Sequence, residues 1–257
     1  MQAKQFQGKV VLITGAGAGL GKQAAIAFAR QGARVATCGR TASTLEETAR
    51  LVRAEGAETL FEIADVSRAT DVERTVARTV DRFGRLDILI NNAGVLGQGQ
   101  RLVDIQEAEY DRVMSIDAKG VWLGMKYAIP AMLRTGGGCI VNLSSNHGLV
   151  GTRSNFAYVA AKHAVTGMTK AAAIDYGREG IRVNAVCPAA HETEMAVEFW
   201  SRFSDAEKRA RFETFYPATG RIGKVEEVIG VILFLCSDAA SNIHGVALPV
   251  DGGFTAQ

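Results

Sequence analysis

Short unbroken apolar runs alternate along the chain with longer stretches whose apolar positions recur every three or four residues. Val10-Val-Leu-Ile-Thr14 is the first such run. A run without polar alternation fits a strand buried on both faces. Arg34–Cys38, Glu58–Ile63, Leu86–Ile90, Cys139–Leu143, Ile181–Val186 and Val246–Val250 read as six more strands. Between them the spacing predicts helices over 23–31, 43–55, 71–83, 106–134, 156–178 and 225–236. Gly56 and Gly84 stop the second and third helices, and Pro130 bends or shortens the last turn of the long one. The connections are too long for hairpins, which predicts an α/β fold with a parallel sheet and helices on both faces. No linker, low-complexity segment or repeat interrupts the pattern, so residues 1–257 read as a single domain. Residues 188–217 depart from it. They are irregular and then helical, rich in Phe199, Trp200, Phe203, Phe212, Phe215 and Tyr216, and 190–217 reads as a lid over a site.

Composition narrows the class. The chain has 257 residues, 47% of them apolar, with 29 Lys and Arg against 27 Asp and Glu. A chain this long buries an ample core without staples. The charges are interspersed, so nothing points to nucleic acid or an anionic membrane. The polar start is not a signal peptide, and no apolar run is long enough to span a bilayer. Cys38, Cys139, Cys187 and Cys236 lie in no metal-ligand spacing and read as reduced core residues, which suits a cytoplasmic protein.

Three stretches carry candidate chemistry. Thr14-Gly-Ala-Gly-Ala-Gly-Leu-Gly21 joins the first strand to a helix, and backbone N–H groups at such a helix start are aimed at an anion such as a pyrophosphate. Its glycines at 15, 19 and 21 do not match the strict G-x-G-x-x-G spacing. Tyr158 and Lys162 stand one helical turn apart. An ammonium beside a phenol favours the phenolate and fits the phenol for proton transfer near neutral pH. Ser144-Ser145 follows the fifth strand. Past the second strand lies Cys38-Gly-Arg40-Thr, with no acid to hold a ribose 2′-hydroxyl. Arg40 offers a fork to a 2′-phosphate, which favours NADP(H) and leaves NAD(H) as the alternative.

Together these residues resemble the short-chain dehydrogenase/reductase family over essentially the whole chain. Thr14-Gly15-x-x-x-Gly19-x-Gly21, Asp65-Val66, Asn91-Asn-Ala-Gly94, the set Ser145, Tyr158 and Lys162, and Asp251-Gly-Gly253 all match its motifs, with Tyr158 thirteen residues past Ser145. The resemblance implies a three-layer α/β/α Rossmann fold with a doubly wound, mostly parallel, seven-stranded sheet. It implies hydride transfer to or from nicotinamide. Tyr158 is then the general acid/base, Lys162 lowers its pKa and binds the nicotinamide ribose, and Ser145 holds the reacting oxygen. Gly15, Gly17, Gly19, Leu20, Gly21 and Arg40 would meet the cofactor, as would Asp65, Val66, Asn92, Ala93, Gly94, Pro188 and Thr193. Family members are usually tetramers or dimers, so a homo-oligomer is expected.

The chain departs from the family at three places. Asp117 stands where asparagine usually helps carry protons to the lysine, and an ionised aspartate donates no hydrogen bond from its side chain. Pro188-Ala-Ala-His191 replaces the usual Pro-Gly and an apolar residue, which sets His191 near the nicotinamide. Asn146-His147 follows Ser145 where small residues are common. Ser145, His147, Tyr158 and His191 are the candidate substrate contacts, with Arg153 and Asn155 nearby. Such a set favours a polar carbonyl compound, whereas the aromatic lid favours an apolar one. His163 and His244 read as structural. The leading expectation is an NADP(H)-dependent alcohol dehydrogenase or ketone reductase. The alternatives are an NAD-dependent dehydrogenase of a polar alcohol, an isomerase or dehydratase on the same scaffold, and a dinucleotide sensor.

Overall fold

A computed structural model describes residues 4–193, 196–197 and 200–257. Phe199 lies outside the described residues. In chain order the elements are β1 (Val10–Thr14), α1 (Gly19–Arg30), β2 (Arg34–Gly39), α2 (Ala42–Ala54), β3 (Thr59–Ile63), α3 (Ala69–Phe83) and β4 (Ile88–Asn91). There follow α4 (Glu107–Met114), α5 (Gly120–Leu133), β5 (Gly138–Leu143), α6 (Phe156–Tyr176) and β6 (Ile181–Pro188). Last come α7 (Asp205–Phe215), α8 (Val225–Cys236) and β7 (Ala247–Val250). The strands form one seven-stranded sheet in the order β3-β2-β1-β4-β5-β6-β7. Every neighbouring pair is parallel. This is the Rossmann-type three-layer fold expected from the sequence.

The apolar runs explain the layering. Successive strand side chains point to opposite faces. Val11 and Ile13 of β1 therefore pack with Ala24, Ala25 and Phe28 of α1 and with Val228, Ile229 and Ile232 of α8. Val10 and Leu12 pack on the other face with Val76 of α3, Val121, Met125 and Met132 of α5, and Val165 of α6. Polar helix positions face solvent, and Gly84 ends α3 in the left-handed conformation with φ 79°, as a stopping glycine should.

The long helix predicted over 106–134 runs from Glu107 to Leu133. Within it α4 and α5 are joined by a π-helical stretch, Ser115–Lys119. Val113, Ile116 and Val121 continue an apolar rhythm across that stretch, so the pattern hides it. Pro130 lies inside α5, which runs on to Leu133. In the stretch after β6, a Ser204–Glu207 capping box starts α7. Trp200 packs on Phe212 with ring centroids 4.8 Å apart, and Phe212 on Tyr216 at 5.9 Å.

Candidate active site

The strand order reverses between β1 and β4, and in such sheets ligands bind in the crevice at the carboxyl ends of the strands. Thr14 closes β1 there. Its hydroxyl accepts hydrogen bonds from the backbone N–H groups of Asn92 and Ala93, both at 3.0 Å. Asn92 returns two bonds, its amide donating to the Thr14 and Gly15 carbonyls at 3.0 Å each. This clamp joins the glycine turn to the loop after β4. Sequence reasoning placed the turn and Asn92 separately and missed the hydroxyl that links them; its one signal is a threonine ending an apolar run.

The glycines of the turn answer to close approaches. A Cβ on Gly15, which has φ +66°, would fall 2.7 Å from the Ala93 Cα, and one on Gly21 would fall 2.5 Å from the Gly15 carbonyl oxygen. Gly17 backs onto Thr44. Gly19, Leu20 and Gly21 are already the first turn of α1, so the helix start sits on the crevice. Gly19 faces Thr193 across a cavity of about 500 Å³, lined also by Gln23, Glu192, Val197 and Val225. Backbone N–H groups at a helix start, bare glycines and open space fit a dinucleotide phosphate bridge.

Arg40 stands exposed just past β2, with no hydrogen bond or ion pair among the described residues. Asp65 accepts from the Ser67 N–H at 2.9 Å and the Ser67 hydroxyl at 2.7 Å. Burial works to raise its carboxyl, but these bonds and the Arg40 and Arg68 charges hold it below the ordinary value. Val66 is buried with Ile116 and Leu123.

The second cluster lies beside the first. Lys162 is buried on α6, and its ammonium donates to the Leu143 carbonyl at 3.0 Å and lies 5.4 Å from the centre of the Tyr158 ring. Asp117, in the π-helical stretch and 0% exposed, accepts from the Val95 N–H at 2.8 Å through Oδ1. Its Oδ2 is 3.3 Å from the Lys162 ammonium but off the line of a hydrogen bond. Burial opposes the charge on Lys162, yet Tyr158 and Asp117 outweigh it and raise the ammonium above its usual value. For Asp117 burial wins over Lys162 and the Val95 N–H, so its carboxyl is raised. A Cβ on Gly94 would stand 3.1 Å from Asp117 Oδ2 and 3.4 Å from the Lys162 ammonium. Ser145 lies at the turn after β5, its hydroxyl 3.0 Å from Asn146 Oδ1 and 3.4 Å from the Pro188 carbonyl. Ser144 instead donates to the Lys162 carbonyl at 3.0 Å.

A family model described as enoyl-(acyl carrier protein) reductase matches residues 15–255. An uncharacterized oxidoreductase of Thermotoga maritima is 42% identical, covering 98% of this chain and 99% of its own. Levodione reductase of Leifsonia aquatica is 38% identical over 98% and 96% of the two chains. A crystal structure of levodione reductase superimposes with a TM-score of 0.91 at 37% identity, over 98% of this chain and 99% of that one. The chain belongs to the short-chain dehydrogenase/reductase family.

In this short-chain dehydrogenase/reductase the Tyr158 ring also has ring neighbours. The His147 ring meets the Tyr158 ring edge-on with centroids 5.9 Å apart. Phe254, from the C-terminal tail, lies 6.4 Å from His147 and 6.2 Å from Phe215 at the end of α7. No sequence motif marks Phe254. Burial lowers the His147 imidazole, which stays neutral, and its Nδ1 is 3.4 Å from the Asn155 amide nitrogen. His191 is not brought to this group. It is buried, its Nδ1 lies 2.9 Å from the Ala189 carbonyl, and its ring fills the space a side chain on Gly223 would need. Burial lowers it too, against the Ala189 carbonyl and Glu227. Arg153 and His163 are exposed, and His244 backs onto Gly177.

Proposed function

We propose that the chain is an oxidoreductase that moves a hydride between NADP(H) and a small secondary alcohol or ketone. The observation that carries this reading is the buried Lys162 ammonium beneath the Tyr158 ring, next to Gly94 at the mouth of the glycine-lined crevice. When bound, the nicotinamide supplies or takes the hydride. In reduction the Tyr158 O–H bond breaks as its proton passes to the substrate oxygen; in oxidation the proton returns. Ser145 positions that oxygen, and Lys162 holds the nicotinamide ribose. The turn Gly15–Gly21 with Asn92, Ala93, Pro188 and Thr193 would seat the dinucleotide, with Asp65 and Val66 on the adenine side. Arg40, exposed and unpaired among the described residues, supports the 2′-phosphate form.

The wall of His147, Phe254 and Phe215 favours an uncharged substrate of ring size. The names of the relatives, levodione reductase, cyclohexanol dehydrogenase and meso-2,3-butanediol dehydrogenase, support the same class. The segment 190–217 would act as a lid. Large apolar side chains exposed on α4, α5 and α6 (Tyr110, Trp122 and Ile174) support a homo-oligomer. Four free, buried cysteines suit a cytoplasmic setting, and no helix among the described residues is long and apolar enough to cross a membrane.

The test is a side-by-side titration with NADPH and NADH at one salt concentration, followed by turnover of cyclohexanone and cyclohexanol. NADPH should bind tighter by about tenfold, about 1.4 kcal/mol, and turnover should vanish in Tyr158→Phe. An NADH preference would overturn the role of Arg40. Turnover that survives in Tyr158→Phe would overturn the role of the phenol.

A further inference from the structure

A carboxylate is an unusual neighbour for a lysine meant to draw the proton from a phenol. Asp117 is 0% exposed and Lys162 4% exposed, and their charged atoms are 3.3 Å apart. At that distance and burial the attraction is weakly screened. The ammonium that lies 5.4 Å from the Tyr158 ring centre therefore already has a carboxylate beside it. We infer that Asp117 is a positioning residue that offsets the Lys162 charge, so that the Tyr158 proton is drawn off less readily than it would be beside a lone ammonium. This rests on the hydride-transfer reading above.

The surrounding groups leave the pair to dominate. From α4, Arg112 acts on Asp117 at longer range. From β6, Cys187 faces Lys162, but burial pushes its thiol up to about 11 and it stays neutral. Asp251, after β7, reaches Cys187. His147 is neutral because burial disfavours its charge. Asp117 itself is fixed in place. The Val95 N–H holds one oxygen and the π-helical stretch carries the backbone, while the other oxygen has only the ammonium beside it. A stretch of this kind inside a helix often marks a functional position.

The decisive comparison is Asp117→Asn, whose amide oxygen can still accept from the Val95 N–H. In the protein without cofactor, phenolate absorbance is titrated from pH 6 to 11. Subtracting the same titration of Tyr158→Phe in each background isolates Tyr158 from the four other tyrosines. The Tyr158 midpoint should fall by about one pH unit in Asp117→Asn, the low end of the effect of one neighbouring charge. With cofactor, the acid limb of the pH profile for cyclohexanol oxidation should move down by about the same one unit. Superimposable phenolate titrations would overturn the inference. A shifted titration in a protein that turns over neither substrate would sustain the inference and overturn hydride transfer. Asp117→Ser, also uncharged, serves the same comparison if the amide variant folds poorly.

Discussion

Thr14→Val tests whether one hydroxyl holds the two halves of the site together. The replacement keeps the branched shape and removes the oxygen that accepts from the Asn92 and Ala93 N–H groups, each at 3.0 Å. A buried donor left without its partner costs about 1–3 kcal/mol. Thr14 is 5% exposed, but Asn92 and Ala93 are only half-buried, so the low end applies to each. The sum is about 2 kcal/mol, on the order of 4–8 °C in Tm for a domain of this size. Denaturant unfolding and calorimetry read it directly. NADPH affinity should fall as well, since the glycine turn and the loop after β4 lose their tie. Thr14→Ser, which keeps the oxygen, should lose less than half as much. A Thr14→Val protein within about 0.5 kcal/mol of the parent, the range of ordinary surface changes, would refute the clamp, as would a serine variant equally damaged.

Other perturbations probe the rest of the site. Lys162→Met leaves Asp117 buried without its counter-charge and should cost about 3–5 kcal/mol. Adding Asp117→Asn should recover much of it in a double-mutant cycle, and strict additivity would be the contrary result. Burial raises Asp117 above its ordinary 3.8. Its contribution to stability is therefore complete below that value and lost as pH rises through the folded midpoint, so the Lys162→Met deficit should shrink in acid. His191 is lowered from 6.5, so the unfolded chain takes up its proton first and stability falls as pH drops below 6.5. Tm measured from pH 5 to 8 should fall less steeply in His191→Gln. Gly21→Ala puts a Cβ 2.5 Å from a backbone oxygen and should lower cofactor affinity by more than tenfold in a binding titration. Gly230→Ala on α8, where a Cβ meets nothing within 4 Å, should leave it unchanged.

The central strands were legible because parallel strands covered on both faces are largely apolar, as β1 and β4 are, whereas the edge strands β3 and β7 are only partly buried and carry a weaker signal. The glycine turn, Ser145, Tyr158 and Lys162 were legible because their chemistry fixes both residue type and spacing. The π-helical stretch at Ser115–Lys119 was not, since a single wide turn shifts the apolar rhythm by less than the scatter of the pattern. Nor was the position of His191. Its neighbour Gly223 lies thirty-two residues on, and only the backbone pairing between the two shows that the ring is spoken for. Phe254 belongs to the same kind: a tail residue that matters through a tertiary contact carries no local period.

The seam between β1 and β4 also governs when this protein can become competent. Its partners, such as Ile13 and Ile90, lie seventy-seven residues apart, and β2 and β3 with their helices fill the gap. A growing chain can zip β1 to β2 and β2 to β3 by short-range closures, but the long closure that brings β4 home is entropically slower. Until it happens Thr14 has nothing to grip, and the start of α1 stands beside a bare sheet edge. The glycine turn is synthesised early, and its tie through Thr14 waits for the strand that comes seventy-seven residues later.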